Sequence, residues 1–89
     1  MKRSETLKAA LKAVTVDRAA THGDAEASFC LIAAYWSNHL GTTVEASDVA
    51  VMMIMLKLAR IKSTPGFEDH WTDIAGYAAC GGEIAGATP

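Results

Sequence analysis

Apolar residues recur at helical spacing along most of the chain. Leu7, Leu11 and Val14 stand near three- and four-residue intervals, and Phe29, Ile32, Ala33, Trp36 and Leu40 form a second stripe. The second stripe has a polar back made of Glu26, Asn38 and His39. A third segment, 48–62, is apolar on nearly every side: Val49, Val51, Met52, Met53, Ile54, Met55, Leu56, Leu58 and Ile61 leave little solvent face. A helix of that kind is central, or shared between subunits. The pattern therefore predicts an all-α chain of four helices with no strand.

The punctuation fits that reading. Ser4 is placed to cap the first helix, with Glu5 in its opening turn, where the helix dipole favours negative charge. Thr21-His22-Gly23 breaks that helix, and Asp24 can cap the next, which Gly41 ends at its C′ position. Residues 42–46 form a short connection, Ser47 caps the third helix and Asp48 lies in its first turn. Ser63-Thr64-Pro65-Gly66 has the composition of a tight loop. The fourth helix then begins near Phe67 or Glu68 and runs to about Glu83, carrying Gly76, Gly81 and Gly82 for close packing or a frayed end. The expected architecture is one compact all-α domain over 1–89. It has a central apolar helix, an antiparallel C-terminal hairpin and a loose tail from about residue 86.

Composition adds a second expectation. A chain of 89 residues with 51% apolar and only 20% charged positions cannot hide all of its apolar surface in its own core, so a homo-oligomer is expected. Met52, Met53 and Met55 suit adaptable packing at such an interface, and Trp36 and Trp71 suit core or interface anchors. A net charge of −2 without a Lys/Arg cluster argues against nucleic-acid binding. The apolar run 49–56 is too short to span a bilayer, and Met1-Lys2-Arg3-Ser4-Glu5 is no secretory leader, so a cytoplasmic location is expected, in the host cell if the chain is phage-encoded. Cys30 and Cys80 lack metal-site spacing and read as small buried hydrophobes.

The chemistry sits in the hairpin. With a turn centred near Thr64-Pro65, residues whose numbers sum to about 129 or 130 face each other. Arg60 then faces Asp69 and Lys57 faces Asp73; Tyr77 extends the acidic face by one turn. Cations on an apolar helix are costly to bury unless paired, so these four residues read as register-fixing salt bridges. They read equally as a polar site in which Asp69 and Asp73 hold a hard cation such as Mg²⁺ while Lys57 and Arg60 contact ligand phosphates. Arg18 and His22 would add a cation and a stacking or proton-carrying group, or simply cap the first helix.

At these residues the chain resembles a domain-of-unknown-function family of short phage and prophage proteins. The resemblance is carried by Arg18…His22-Gly23…Ser28-Phe29…Trp36-Ser37…Leu40-Gly41 in the first half. Asp48-Val49-Ala50…Lys57…Ala59-Arg60 and Asp69…Asp73-Ile74-Ala75-Gly76-Tyr77 carry it in the second. His22 and Ser28 stand where the family more often has Tyr and Asn. The family also has a loose likeness to the all-α nucleotide pyrophosphohydrolases of the MazG type. That likeness implies a helical, oligomeric, Mg²⁺-dependent protein with acidic residues on two adjacent helices. Here Lys57 and Arg60 replace the first acidic pair, and only Asp69 and Asp73 remain, with Asp24 and Glu26 as distant substitutes. Three functions follow. One is a binder of a phosphorylated small molecule, foremost a nucleotide, which a phage would use to sequester a host signalling nucleotide. The others are a Mg²⁺-dependent nucleotide hydrolase with a reduced acidic set, and a structural or partner-binding helical module without a ligand. Cations in place of the acidic pair favour binding over hydrolysis.

Overall fold

The computed structural model describes residues 1–17 and 25–87. Helix α1 (Arg3–Lys12) continues into a π-helical turn, Ala13–Asp17, followed by α2 (Ala25–Leu40), α3 (Ala46–Ser63) and α4 (Glu68–Ala87). No strand occurs among the described residues. The expected break at Thr21-His22-Gly23 and the Asp24 cap lie outside them, as do Arg18 and His22. α3 and α4 form the antiparallel hairpin, α2 packs on α3, and α1 lies along α4. α4 thus touches every other helix.

Several boundaries differ from the pattern-based expectation, each for a local reason. α1 begins at Arg3 behind Lys2, with no side-chain cap bond, so Ser4 lies inside the helix. α3 begins two residues early because Glu45 and Asp48 build a capping box. The Glu45 side chain accepts from the backbone at Asp48, and Asp48 Oδ2 accepts from Glu45 N–H at 2.9 Å. Ser47 is therefore helical. α4 continues to Ala87, past the expected end near Glu83 and into the expected tail, and Thr88 and Pro89 lie outside the described residues. Gly41 does end α2, with φ +69° and its N–H donating to the Ser37 carbonyl at 2.9 Å.

The core is small. Phe29, Ala33, Val49, Ala50, Cys80 and Ile84 form one cluster, flanked by half-buried Val14, Ile32, Trp36, Met53 and Tyr77. Among the described residues, Phe29 and Val49 are the large side chains that are completely enclosed. α1 buries Ala10 and turns Leu7 and Leu11 outward, the reverse of what their apolar character predicts. An alanine row lets α1 lie close to α4, and the two leucines are left on the far side. Leu40 leaves the α2 stripe for solvent, and Cys30 is exposed while Cys80 is buried. The Met1 amine donates to Glu68 Oε1 at 2.6 Å, tying the start of α1 to the start of α4. This hydrogen bond and the Glu68 charge hold the amine above its ordinary pKa.

The hairpin crosses most closely where Gly81 meets Ala50. A Cβ at Gly81 would stand 2.8 Å from the Ala50 Cβ, inside any tolerable contact, and neither atom belongs to a flexible side chain. Gly81→Ala should therefore force the two helices apart and cost about 1–3 kcal/mol in urea unfolding, the usual penalty of overpacking. Gly86→Ala, where nothing lies within 4 Å, should leave the midpoint unchanged or slightly raised. Equal effects of the two substitutions would contradict this account of the crossing.

Candidate functional site

The end of α3 is fastened through Thr64. Its N–H and its hydroxyl both donate to the Arg60 carbonyl, at 2.9 and 3.1 Å. With that proton committed, the Thr64 oxygen accepts from His70 Nε2–H, 2.8 Å away. The network thus assigns the Nε2–H tautomer to His70 and leaves Nδ1 a bare acceptor, buried and without a partner. Phe67 packs edge-on against the His70 ring, centroids 4.8 Å apart. His70 thus braces the loop between α3 and α4.

Two turns further along the hairpin, one of the two expected pairs forms. Lys57 Nζ lies 2.9 Å from Asp73 Oδ2. The Lys57 side chain is only 17% exposed and that of Asp73 is 40% exposed, so this is a half-buried pair. Arg60 and Asp69 behave differently. Both are exposed, and no ion pair joins them among the described residues. At an open surface, hydration of two separate charges competes well with a contact.

Asp73 also lines a cleft of about 100 Å³ between the π-helical turn and α4. Ala13 and Val14 form one wall, and Thr72, Asp73, Gly76 and Tyr77 the other, with Cys80 beyond them. Tyr77 is held from behind by Phe29, ring centroids 6.3 Å apart. Thr72 Oγ1 is buried here without a hydrogen-bond partner. The structure thus brings Asp73 and Tyr77 together, joins Lys57 to them through Asp73, and leaves Arg60 and Asp69 apart on the surface. No three His, Cys, Asp or Glu side chains gather in metal-binding geometry among the described residues. Glu26 faces a different cleft, shared with Glu45 and Cys30. Thr72 was not singled out in the sequence, and Cys80 only as a small buried hydrophobe, although Thr72, Gly76 and Cys80 recur every four residues on the α4 row that faces α1.

A family model described as a domain of unknown function, DUF6378, matches residues 5–85. The chain belongs to the DUF6378 family. It is 36% identical over 74 residues to the Gene 55 protein of Mycobacterium phage D29, covering 83% of this chain and 49% of that protein. It is 44% identical over 62 residues to the Gene 55 protein of Mycobacterium phage L5, covering 68% of this chain and 40% of that one. The chain therefore spans less than half the length of these phage relatives. No solved structure matches it. The DUF6378 match takes in α1 as well as the hairpin, more of the chain than the sequence resemblance covered. No helix is long and apolar enough to cross a membrane among the described residues.

The half-buried pair makes a specific prediction. Asp73→Leu alone strands the Lys57 charge against the hairpin and should cost about 1–2 kcal/mol, between the values for exposed and fully buried pairs. Lys57→Met with Asp73→Leu should recover most of that loss in thermal unfolding. A double variant less stable than the single would show that Lys57 is held by something other than Asp73.

Proposed function

We propose that this DUF6378 chain is a self-assembling helical module whose folded form is completed by a second copy. The observation that carries the reading is its surface. A compact monomer of 9.4 kDa is expected to expose about 5,000 Å². This chain exposes 6144 Å², an excess of about 1,100 Å². Large apolar side chains share in this exposure: Leu7, Leu11, Leu31, Tyr35, Val51, Met55, Leu58 and Trp71 are each more than half exposed. Single copies of soluble proteins rarely leave so much contiguous apolar surface in water. Sedimentation at micromolar concentration should give a dimer or a larger closed assembly; a stable monomer would overturn the proposal.

A second reading is favoured by a separate observation, the Lys57–Asp73 pair at the edge of a cleft that Tyr77 also lines. On this reading the assembly binds a phosphorylated small molecule, foremost a nucleotide, with Lys57 and Arg60 as anion contacts and Asp69 and Asp73 as ligands for Mg²⁺. Sequestration of a host signalling nucleotide is the corresponding role in a phage. The cleft of about 100 Å³ is smaller than the ~300–1,000 Å³ of typical ligand pockets, so a nucleotide needs walls beyond the described residues of one copy. Binding is preferred to pyrophosphohydrolase-like catalysis because Lys57 and Arg60 stand on α3 where such an enzyme carries its first acidic pair.

The experiment is a thermal-shift screen of nucleotides with and without Mg²⁺. A bound nucleotide should raise the melting temperature by several degrees at concentrations well above its Kd. Paired replacement of Lys57→Met with Asp73→Leu, and of Arg60→Met with Asp69→Leu, should abolish that shift while folding persists. Unchanged shifts in both paired variants would remove the anion site and leave these charges as architecture.

A further inference from the structure

We infer that the outer face of the α3–α4 hairpin is the surface on which a second copy docks, in a twofold arrangement centred near Ile54 and Ala78. The inference rests on the self-assembly reading and adds the face and its symmetry. On α3, Val51, Ile54 and Leu58 recur on one side; on α4, Trp71, Ile74 and Ala78 do the same. Val51, Leu58 and Trp71 are 53%, 52% and 53% exposed, so neither α1 nor α2 covers this side. Between the two rows runs a groove of about 240 Å³ with Ala50, Ile54 and Ala78 along it and Gly81, Gly82 and Ala85 towards one end. No charged side chain stands in either row.

The distribution of bulk along this face identifies its occupant. At the loop end of the hairpin stand Leu58 and Trp71. At the other end the α4 row carries only Gly82 and Ala85, while the α3 row carries Val51 and Ser47. Trp71 lies seven residues before Ala78 and Ala85 seven residues after it, about 10 Å either way along a helix. A twofold axis through Ala78 and Ile54 therefore carries Trp71 of one copy onto the hollow at Gly82 and Ala85 of the other, and the reverse, while Leu58 meets Val51 across the axis. That is the self-complementarity an isologous interface requires. A charged peptide would find no counter-charge here, and a small ligand no polar group to orient it. The outward leucines of α1 and the Leu31–Tyr35 pair of α2 are interleaved with Lys8 and Lys12 and with Asn38 and His39, and lack this pairing of bulk with hollow. The surface excess of the whole chain, about 1,100 Å², leaves room for the ~800 Å² per partner that a standard interface buries.

Four variants test the inference by sedimentation, with helicity followed by circular dichroism. Ala78→Glu and Leu58→Glu, both at exposed positions, should keep the helical signal and weaken self-association at least tenfold. Leu7→Glu on α1 should leave it unchanged. Ala78→Cys in a Cys30→Ser background should form a disulfide-linked dimer under mild oxidation, because a residue on the axis meets its own copy. If the unsubstituted chain is a monomer, the self-assembly reading fails and takes this inference with it. If it is an oligomer that Ala78→Glu and Leu58→Glu leave intact, or that Leu7→Glu dissociates, self-assembly stands and this face is overturned. Should the glutamate variants unfold, the cysteine variant decides: absence of the cross-linked dimer overturns the face.

Discussion

The contact between Ala50 and Gly81 governs the rest of the molecule. Two helices can approach this closely only where both carry almost no side chain, and the position is fixed because any Cβ on residue 81 would collide with Ala50. Once the crossing is set there, the antiparallel register follows along the whole hairpin. It puts Lys57 opposite Asp73 and leaves the Thr64–His70 brace to close the loop end. It also sorts the α4 side chains into rows. Gly76 and Cys80 face α1, Ile84 enters the core, and Trp71, Ala78 and Ala85 face away.

Polar interactions in this hairpin specify more than they stabilise. A half-buried ion pair returns little net energy after its desolvation, yet a register shift that separated Lys57 from Asp73 would leave a nearly enclosed ammonium unpaired. His70 acts locally at the loop, where its Nε2–H donates to the Thr64 oxygen at 2.8 Å and ties the end of α3 to the start of α4. The arrangement has a consequence for any anionic ligand. Lys57 is already engaged by the one carboxylate on the cleft, so an anion that recruits it must release Asp73 in exchange. Binding there would be coupled to the interaction that holds the hairpin in register, and its net affinity would be the difference between two similar contacts.

How much of this was legible in the sequence depended on whether the decisive feature was local. The hairpin loop, the Gly41 stop and the Lys57–Asp73 pair follow from spacing along single helices and one short turn, and spacing is what a sequence displays. The Glu45–Asp48 box escaped because Ser47 is the more conventional cap, and only geometry shows which side chain reaches the free N–H groups. The burial of Ala10 in place of Leu7 and Leu11 was not legible either. Hydrophobicity ranks leucine as the inward residue, whereas the close approach of α1 to α4 selects the smaller one. At the site, Asp73 and Tyr77 were readable as one helical face. The wall supplied by Ala13 and Val14 was not, because nothing in their chemistry marks them and their position depends on how α1 ends.

That inverted preference on α1 is also the key to the apolar composition. A chain that spends alanine and glycine on its internal contacts packs its helices closely but encloses little volume, and here the fully enclosed large side chains reduce to Phe29 and Val49. Its larger apolar residues are then displaced to the outside by construction. A core of this size is marginal for an 89-residue chain, since small domains bury a smaller fraction of their surface. Burial of the outer hairpin face against a second copy would supply the missing apolar contact. Folding and association would then become one equilibrium, in which the stability of the fold depends on the concentration of the chain. Small residues between the helices and large ones outside them are thus two sides of a single choice. The same choice that builds the tight Ala50–Gly81 crossing leaves Leu58 and Trp71 exposed opposite the hollow formed by Gly82 and Ala85.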